Sequence, residues 1–439
     1  MFVVSGRRKV STIAATVAVI VSIAGSSVAW GAGKGYVNPK DAKKSSLHIG
    51  GGALAFDVFA PFSGPDASFG AHALPSAEAG AWEINNAGGI LGHKFTIVQT
   101  DSRGDPADAV PAIEQTIATT HNLEAVLGPT SDEALATIPI LQRSGVPTFN
   151  QAGTVQLDRL RSKWVFRILA PDSSAGVAMA YQAAVHHKWK KGALLFDSDA
   201  GAQSLTGPVT RAFAKMGGKI TINISLTPDQ PSYRTEILKV LAAKPQVIFT
   251  ETDSQTAATL WSEMQQLHGL TIPTVGSGPT TGADYFQAVS SATNSKTALG
   301  DFLQSVTFST KYTKATPHFL HDLHQWKPGQ DPLLNHVNYW DTINVIALAM
   351  LHAHSINPDK WMHAVRWVTN DRKATPVYNF AQGKKLMSKG KRIQYVGTKG
   401  SMYFNKFGTV SGNFEADKFD ASGNLVTINQ LPASKLSKY

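Results

Sequence analysis

Short apolar runs alternate with stretches of helical periodicity along most of this chain. The run at 54–62 stops at a Ser-Gly-Pro turn, and Ala73, Ala77, Ala81 and Ile84 then recur every three or four residues, as one buried face of a helix does. Asn and Gly residues at 85–89 end this predicted helix, because both tolerate the left-handed conformation found after helix C-termini. The same alternation predicts further strands at 94–101, 123–127, 193–196, 219–225, 247–250 and 274–275, and further helices from 106, from 132, and at 204–216, 233–243 and 256–267.

This order of elements predicts an α/β fold. Strands that alternate with helices of about 10–15 residues form parallel sheets covered by helices on both faces. About ten strands exceed what one open sheet comfortably holds, so the pattern favours two similar, doubly wound lobes. Such sheets bind ligands beyond the carboxyl ends of their strands, which makes the residues just after each strand the candidates for a binding site.

The N-terminus has the pattern of a secretory signal peptide. Arg7, Arg8 and Lys9 precede an uncharged apolar stretch, and small residues at 27–29 suit a signal peptidase. We therefore expect residues 1–29 to be removed, and residues 30–46, with four Lys and several Gly and Ser, to form a flexible lead-in. The alternative is an uncleaved membrane anchor, because residues 10–29 are nearly long enough to span a bilayer.

Composition narrows the possible functions. The 439 residues include no cysteine, which excludes disulfides, thiolate metal sites and cysteine nucleophiles, and leaves none for lipid attachment. The formal charge is +10, from 41 basic and 31 acidic residues. It falls to +7 without residues 1–29, which hold three basic residues and no acidic ones, and much of the excess lies at 384–399. A local basic run is typical of a solvated surface loop, so we expect no nucleic-acid partner.

The sequence contains no recognised catalytic signature. There is no G-x-S-x-G, H-E-x-x-H, Walker A or G-x-G-x-x-G motif, and no trio of nucleophile, base and acid can be nominated. His318, His321 and His324 have the i, i+3 spacing of metal ligands on one helix face. Their polar neighbours favour an exposed helix start instead, and we expect no metal and no cofactor.

A series of motifs stands out along the chain. They are APFSG at 60–64, EINNAGGILGHK at 83–94, DSRGDPADAV at 101–110, AVLGPTSDEALA at 125–136, SGVPTFNQAGT at 144–154, PQVIFTETDSQTA at 245–257, NYWDTINVIALAML at 338–351 and IQYVGTKGSMYFNKFG at 393–408. In this order they resemble the type I periplasmic solute-binding proteins, in particular the leucine/isoleucine/valine receptors of ABC importers. The resemblance covers nearly all of residues 54–425.

The resemblance implies a non-enzymatic receptor of two lobes, joined by three hinge crossings, that closes on a small solute. Its lobes would comprise residues 47–169 with 300–374, and residues 170–299 with 375–439. We expect a monomeric periplasmic protein that captures an amino acid, an amide or a related compound and delivers it to the membrane subunits of an ABC permease. The segment at 375–391 is predicted to be an insertion relative to the family, which covers part of the cleft or contacts a partner.

The resemblance places the first-lobe binding residues at Phe69, Ser131, Ala152, Gly153 and Thr154. Ser131 lies at the head of a predicted helix whose N–H groups suit a carboxylate, and the loop 152–154 would complete that anchor. Asp132 stands where the family commonly has Ser, and it would repel an acidic ligand unless it points away or is protonated. The alternatives are that the Phe69 side chain packs in the core, and that the Ser131 and Thr154 hydroxyls stabilise a turn or cap a helix.

The second-lobe site departs further from the family. Its candidate residues are Asp199, Ala200, Glu251, Thr252, Asp253 and Gly278. Ala200 stands where Tyr is usual, Thr252 stands at an aromatic position, and the run at 276–278 lacks the acid that pairs with a substrate ammonium. Either Glu251 or Asp253 supplies this counter-charge to an amino acid, or the ligand is an amide, a polyol or an aromatic compound. We favour the second interpretation, because the missing tyrosines leave room for a larger ligand. Glu251 could equally cap a helix or pair at the surface.

Two rival functions share this pattern. A sensory binding protein that presents its ligand to a signalling receptor has the same fold, and no residue separates it from a transport receptor. An enzyme built on the same two-lobed cleft would use Asp199, Glu251 and Asp253 as acid–base groups. No nucleophile or metal set accompanies these carboxylates, which disfavours the enzyme.

Overall fold

The computed structural model describes residues 52–64, 66–309, 313–330 and 336–439. The predicted signal peptide 1–29 and lead-in 30–46 lie outside these residues. The described chain forms two α/β lobes, each built on its own main sheet, which confirms the predicted fold class. None of the helices in this part of the chain combines the length and apolar character needed to cross a membrane.

The first sheet consists of five short strands. They are β1 (Leu54–Ala60), β2 (Phe95–Asp101), β3 (Leu123–Leu127), β4 (Thr148–Asn150) and β5 (Val165–Arg167). All pairings are parallel, in the order β2-β1-β3-β4-β5. Every residue of β1 is buried, as expected for a central parallel strand with helices on both faces.

The remaining strands form the second sheet and a small third one. They are β6 (Lys191–Asp197), β7 (Lys219–Leu226), β8 (Val247–Glu251), β9 (Thr274–Gly276), β10 (Leu303–Phe308), β11 (Thr375–Val377), β12 (Ile393–Gly397), β13 (Gly400–Ser401), β14 (Phe414–Phe419) and β15 (Leu425–Leu431). The second sheet has the order β15-β14-β10-β9-β8-β6-β7, and the third has the order β11-β12-β13. The second sheet is mixed, because β14 pairs antiparallel with β10 and with β15.

Helices follow most of the strands, as the sequence pattern predicts. They are α1 (Ala67–Asn86), α2 (Pro106–Thr119), α3 (Ser131–Arg143), α4 (Asp172–Tyr181), α5 (Ala200–Lys215), α6 (Arg234–Ala243), α7 (Ser254–His268), α8 (Ala283–Ala292), α9 (Ala298–Phe302), α10 (Thr316–Trp326), α11 (Asn338–Ala353), α12 (Pro358–Thr369), α13 (Phe380–Met387) and α14 (Ala433–Leu436). All residues of α11 from Asn338 to Met350 are buried, so this helix is the central core element of the first lobe.

The chain passes between the two hydrophobic cores three times. Ile168 packs in the core of the first sheet, and Ala170 packs in the core of the second. The chain returns to the first core between residues 306 and 315 and leaves it again between residues 410 and 414. Three crossings agree with the hinge that the family resemblance implies.

The lobe boundaries predicted at 300 and 374 differ from these crossings. Strand β10 pairs with β9 and β14, so it belongs to the second lobe. Residues 377–410 belong to the first lobe, because Val377, Phe380 and Tyr395 pack in its core. The predicted insertion at 375–391 packs on α11 so closely that a Cβ at Gly383 would lie 2.5 Å from Leu348.

Candidate ligand-binding site

The carboxyl ends of the two main sheets meet beside the start of α5. The Gly201 N–H donates to Asp132 Oδ1 at 2.7 Å, and the Val155 N–H donates to Ser204 Oγ at 3.0 Å. Both hydrogen bonds join the first lobe to the second. We call this meeting place, marked by the four residues, the interlobe junction. It is the candidate site, because ligands of parallel sheets bind at the carboxyl ends of strands.

Hydrogen bonds within the first lobe hold the loop after β4. The Ala152 N–H donates to Asn150 Oδ1 at 3.2 Å, and the Gly153 N–H donates to Ser131 Oγ at 2.9 Å. The structure thus brings Ser131 and this loop together, as the resemblance implies. The two backbone donors that were expected to anchor a ligand carboxylate are, however, already used inside the lobe.

Arg167, at the end of β5, fixes the same loop. Its side chain is 2% exposed, and its guanidinium donates to the carbonyl oxygens of Gly153 at 3.1 Å and Thr154 at 3.2 Å. It also pairs with Asp158 at 2.9 Å. The Thr154 hydroxyl is occupied as well, since it donates to Gln156 Oε1. The loop is therefore a rigid part of the junction, set by a buried cation that the sequence pattern did not reveal.

Thr130, and not Asp132, is the N-cap of α3. The Glu133 carboxylate accepts from the Thr130 N–H at 3.1 Å and from the Thr130 hydroxyl at 2.8 Å, which leaves Asp132 to face Gly201 in the second lobe. Burial, followed by the charge of Asp199, raises the pKa of Asp132 to about 8. Asp132 thus contacts the second lobe instead of capping its own helix.

Phe69 packs inside the first lobe. It lies in the first turn of α1, and its ring meets that of His336 edge-on, with centroids 4.4 Å apart. The centroid of the Tyr339 ring lies 6.4 Å from that of Phe69. Loss of water contact lowers the pKa of His336 to about 3, so Phe69 packs against a neutral imidazole. These contacts fit the packing alternative for Phe69.

Asp199 and Asp253 cap the two helices that the second lobe presents to the junction. Asp199 Oδ1 accepts from the Ala202 N–H at 2.7 Å in the first turn of α5. Asp253 Oδ1 accepts from the N–H groups of Gln255 at 2.7 Å and Thr256 at 2.9 Å in the first turn of α7. An acidic cap stabilises the positive end of a helix, so both carboxylates have a structural role beside any role in binding.

Glu251 ends β8 and is half-buried. Its carboxylate accepts a hydrogen bond from the Ser277 hydroxyl. Burial raises the pKa of Glu251 well above its usual range, and the charge of Asp172 adds to this effect. The helix-cap alternative for Glu251 is wrong, because Asp253 caps the following helix.

The other second-lobe candidates have different surroundings. Thr252 is 1% exposed, and its hydroxyl lies 3.3 Å from the Tyr285 hydroxyl, within the lobe. Gly278 begins the helical turn after β9, and its carbonyl oxygen accepts from the Thr281 hydroxyl at 2.6 Å. Ala200 is the exposed first residue of α5, directly beside the junction.

Three carboxylates at the junction are absent from the residues predicted from sequence. Asp66 is the N-cap of α1, Asp172 begins α4, and Asp197 ends β6. The Asp172 N–H donates to the Gly153 carbonyl at 2.8 Å, which ties the first crossing to the loop. Asp197 is 3% exposed, and its Oδ2 accepts from the Asp253 N–H at 2.7 Å. Inspection of the last residue of each strand, and not only of the residues after it, would have found Asp197.

The carboxylates of the junction act strongly on one another. Loss of water contact, and then the charges of Asp199 and Asp253 across the lobes, raise the pKa of Asp66 to about 6. Burial is the largest effect on Asp197, and with the neighbouring Asp253 and Asp199 it raises the pKa of Asp197 to about 9. We call Asp66, Asp132, Asp197, Asp199 and Asp253 the junction carboxylates. Both lobes thus contribute carboxyl groups to the candidate site, and Asp132 and Asp197 keep their protons near neutral pH.

A small cavity of about 30 Å³ lies at the hinge. All three crossings line it, through Ile168, Phe308 and Val410, and Asp341 and Lys399 add a carboxylate and an ammonium. Burial lowers the pKa of Lys399 to about 8, against the opposing charge of Asp341. None of the residues predicted from sequence lines this cavity, so it is a separate feature from the junction.

No group of three or more His, Asp or Glu side chains among the residues described could hold a metal ion. The histidines with i, i+3 spacing contact other groups. His321 Nδ1 lies 3.0 Å from Asp322 Oδ1, and His318 Nε2 lies 3.0 Å from Gln382 Nε2.

Two α/β lobes, joined by three crossings and in contact at their strand ends, define a hinged two-lobed binding fold. Residues 58–396 match the family model of the periplasmic binding proteins. Because this match covers most of the chain, the protein belongs to the periplasmic binding protein family.

Individual relatives share part of the sequence. The chain is 28% identical over 198 residues to Leu/Ile/Val-binding protein homolog 3 of Brucella melitensis. This match covers 45% of this chain and 53% of the relative. The chain is 26% identical over 198 residues, with the same coverage, to an amino acid binding protein of Pseudomonas aeruginosa. The chain thus spans about half the length of the curated relatives it matches.

Solved structures share the fold over nearly the whole length. A leucine binding protein of Thermotoga maritima has a TM-score of 0.73 at 17% identity, over 87% of this chain and 100% of that one. A solute binding protein of an ABC transporter from R. palustris, in complex with benzoate, has a TM-score of 0.69 at 17% identity, over 87% and 97%. At these identities the likeness establishes the fold and leaves the ligand open.

Proposed function

We propose that this protein is a receptor that captures a small solute between its lobes and delivers it to the membrane subunits of an ABC permease. The observation that carries the proposal is the interlobe junction, where Asp132 of the first lobe accepts from Gly201 of the second within a periplasmic binding protein fold. A hinge of three crossings lets such lobes separate and close. A ligand shifts that equilibrium through the contacts it gains on closing.

The proposed ligand contacts are those predicted residues that reach the junction or line its edge: Ser131, Asp132, Gly153, Asp199, Ala200, Glu251 and Asp253. They bind and orient the solute without chemical change, so the protein is not an enzyme in this proposal. The receptor acts as a monomer outside the cytoplasm, exported by the signal at 1–29. The names of the relatives support an amino acid as ligand, whereas the benzoate complex supports a wider range of small organic compounds.

A thermal-shift screen of the purified protein tests the proposal. Amino acids, amides, amines, polyols and aromatic acids are added singly, and a ligand at 100 times its Kd adds about 2.7 kcal/mol of stability. The radius of gyration from small-angle scattering should fall when that ligand closes the lobes. Stabilisation by none of these solutes would exclude a small-solute receptor.

Uptake of the identified ligand by cells with and without the receptor tests the transport step. We expect uptake at low ligand concentration to depend on the receptor. Uptake that is equal in both strains, together with tight binding, would favour the sensory role instead.

A further inference from the structure

The basic run at 384–399 belongs to a folded unit of the first lobe and is not a solvated loop. Strand β11, helix α13 and strand β12 follow one another along the chain, and β11 pairs in parallel with β12. The unit packs in the core of the first lobe through Val377, Phe380 and Tyr395. The backbone that carries its charged side chains is therefore fixed on the lobe.

Basic residues gather at one end of this unit, where β11 and β12 begin and α13 ends. The Thr375 N–H donates to the Arg392 carbonyl oxygen at 3.2 Å, which joins the starts of the two strands. The turn after α13 folds back on Leu386, whose carbonyl oxygen accepts from the N–H groups of Lys389 at 3.0 Å and Lys391 at 3.1 Å. We call the six exposed basic side chains at this end the basic face: Arg372, Lys373, Lys385, Lys389, Lys391 and Arg392.

The chain supplies almost no negative charge to balance the basic face. Residues 360–413 include eleven Lys and Arg residues and one acidic residue, Asp371, which pairs with Arg392. The four lysines of the basic face have no ion-pair or hydrogen-bond partner for their ammonium groups within the part of the chain that the structure describes. A concentration of one sign of charge attracts an extended surface of the opposite sign.

The basic face lies at the end of the first lobe that points away from the interlobe junction. Helix α1 begins beside the junction, and its 20 residues extend over about 30 Å. Helix α13 follows the last part of α1 in the same direction, because the Ala381 N–H donates to Glu83 Oε1 at 3.3 Å. One turn later, Lys384 Nζ donates to the Ala87 carbonyl oxygen at 2.6 Å. The separation exceeds the Debye length of about 8 Å, so charges at the two places act independently.

The described chain also begins at this end of the lobe. The Gly52 carbonyl oxygen lies 2.7 Å from His93 Nδ1, and the adjacent Lys94 donates through Nζ to the Asn85 carbonyl oxygen at the end of α1. The preceding residues 30–51 hold four Lys and one Asp. The segment that leads into Gly52 therefore adds positive charge at the end of the lobe where the basic face lies.

An anionic bilayer fits this surface better than a small anion does. The lysines are exposed and spread over two strand starts and a helix end, whereas a pocket for a small ligand holds it with a few converging polar groups. A Lys ammonium is a hydrated point charge on a flexible stem, which suits a diffuse layer of phosphate groups. We propose that the basic face binds the surface of an anionic lipid bilayer. This contact holds an exported receptor at the membrane and leaves the junction free for solute, and it does not depend on which solute binds there.

Vesicle sedimentation tests the proposal on the receptor purified in its exported form. The probes are vesicles of equal parts phosphatidylglycerol and phosphatidylcholine, and vesicles of phosphatidylcholine alone, in about 0.1 M NaCl. We expect binding to the anionic vesicles only, and release in about 1 M NaCl, where charges are screened within about 3 Å.

A triple variant tests which residues make the contact. Each basic residue near an anionic bilayer strengthens binding about fivefold, so the combination of Lys385→Gln, Lys389→Gln and Lys391→Gln should weaken it about a hundredfold. The matched control combines Lys219→Gln, Lys239→Gln and Lys418→Gln, which removes the same charge from exposed positions of the second lobe. The control should bind within about twofold of the wild type. The unfolding temperature of each variant confirms folding.

Each other outcome overturns the proposal. Absence of vesicle binding, or equal binding to both kinds of vesicle, would show that the basic face does not bind anionic lipid. Equal weakening by the two triple variants would assign the attraction to net charge, and wild-type binding by the first would place the contact elsewhere. Tighter binding to immobilised polyglutamate than to anionic vesicles would assign the face to an acidic protein. A failure of solute binding in the thermal-shift screen refutes the receptor function alone and leaves this result unchanged.

Discussion

Glu78 should make the stability of this protein depend on pH in an unusual direction. It is 3% exposed in α1, and its Oε2 accepts from the Trp326 indole N–H at 3.0 Å. Burial raises the pKa of Glu78 from 4.5 to about 7, against the smaller lowering effects of this hydrogen bond and of the Lys327 charge. The folded protein therefore binds a proton at Glu78 more tightly than the unfolded chain does.

The sign and size of the effect follow from proton linkage. The stabilisation by Glu78 is complete below about pH 4.5, and it is lost as pH rises from 4.5 through 7, where the folded carboxyl ionises. A pKa difference of about 2.5, at about 1.4 kcal/mol for each pKa unit, corresponds to a loss of about 3.5 kcal/mol in the free energy of unfolding. This is a large share of the total stability of a typical domain.

Urea unfolding at pH 5 and pH 8 measures the effect in the wild type and in Glu78→Gln. The Gln amide is neutral at both pH values and can still accept from Trp326. The free energy of unfolding of the variant, relative to that of the wild type, should be about 2–3 kcal/mol higher at pH 8 than at pH 5. Glu114→Gln, on the exposed face of α2, is the control and should follow the wild type within about 0.5 kcal/mol. An identical pH dependence in the wild type and Glu78→Gln would refute the reasoning.

Two further substitutions test how the loop after β4 is held. In Gly153→Ala the new Cβ would lie 2.0 Å from Asp172 Oδ1, so the loop must shift, and we expect a loss of about 1–3 kcal/mol. A urea midpoint equal to that of the wild type would contradict this close contact. In Arg167→Leu the loop carbonyls and Asp158 lose their buried cation, which should cost about 3–5 kcal/mol in the same assay. Arg167→Lys, which keeps the charge, should recover part of that loss, and equal losses in both variants would show that the charge is unimportant.

Local pattern was sufficient to predict most elements of the fold. Strand β3 has the predicted bounds of 123–127, because its apolar run ends at a Gly-Pro pair. Helix α5 begins at Ala200, four residues before the prediction, because Asp199 caps it ahead of the first periodic apolar position. The lobe boundaries could not be found in this way. Whether Val377 and Phe380 join one core or the other depends on packing between segments distant in sequence.

Several of the predicted site residues lie together at the junction, but the sequence did not show which partners they have there. Asp199 and Asp253 follow strands of a parallel sheet, and topology alone brings them to the junction. That each also caps a helix could be read from the residues that follow it. Asp197 and Arg167 were missed, because the role of a charged residue at the end of a buried strand depends on partners that are distant in the sequence. The N–H that bonds to Asp197 is 56 residues away, at Asp253.

The buried carboxyl groups as a set should make the protein more stable as pH falls toward 5. Glu78 and Glu124, with pKa values raised by burial to about 7 and about 8, stabilise the fold as pH falls. His336 opposes them, since a neutral buried imidazole with a pKa of about 3 costs stability below pH 6.5, and the lowered pKa values of His186, His318 and His352 act in the same direction. The buried carboxyl groups with raised pKa values outnumber these four histidines. From pH 8 to pH 5 the Tm of the protein alone should therefore rise. A Tm that stays constant or falls over this range would show that the buried carboxyl groups do not hold their protons more tightly in the folded protein than in the unfolded chain.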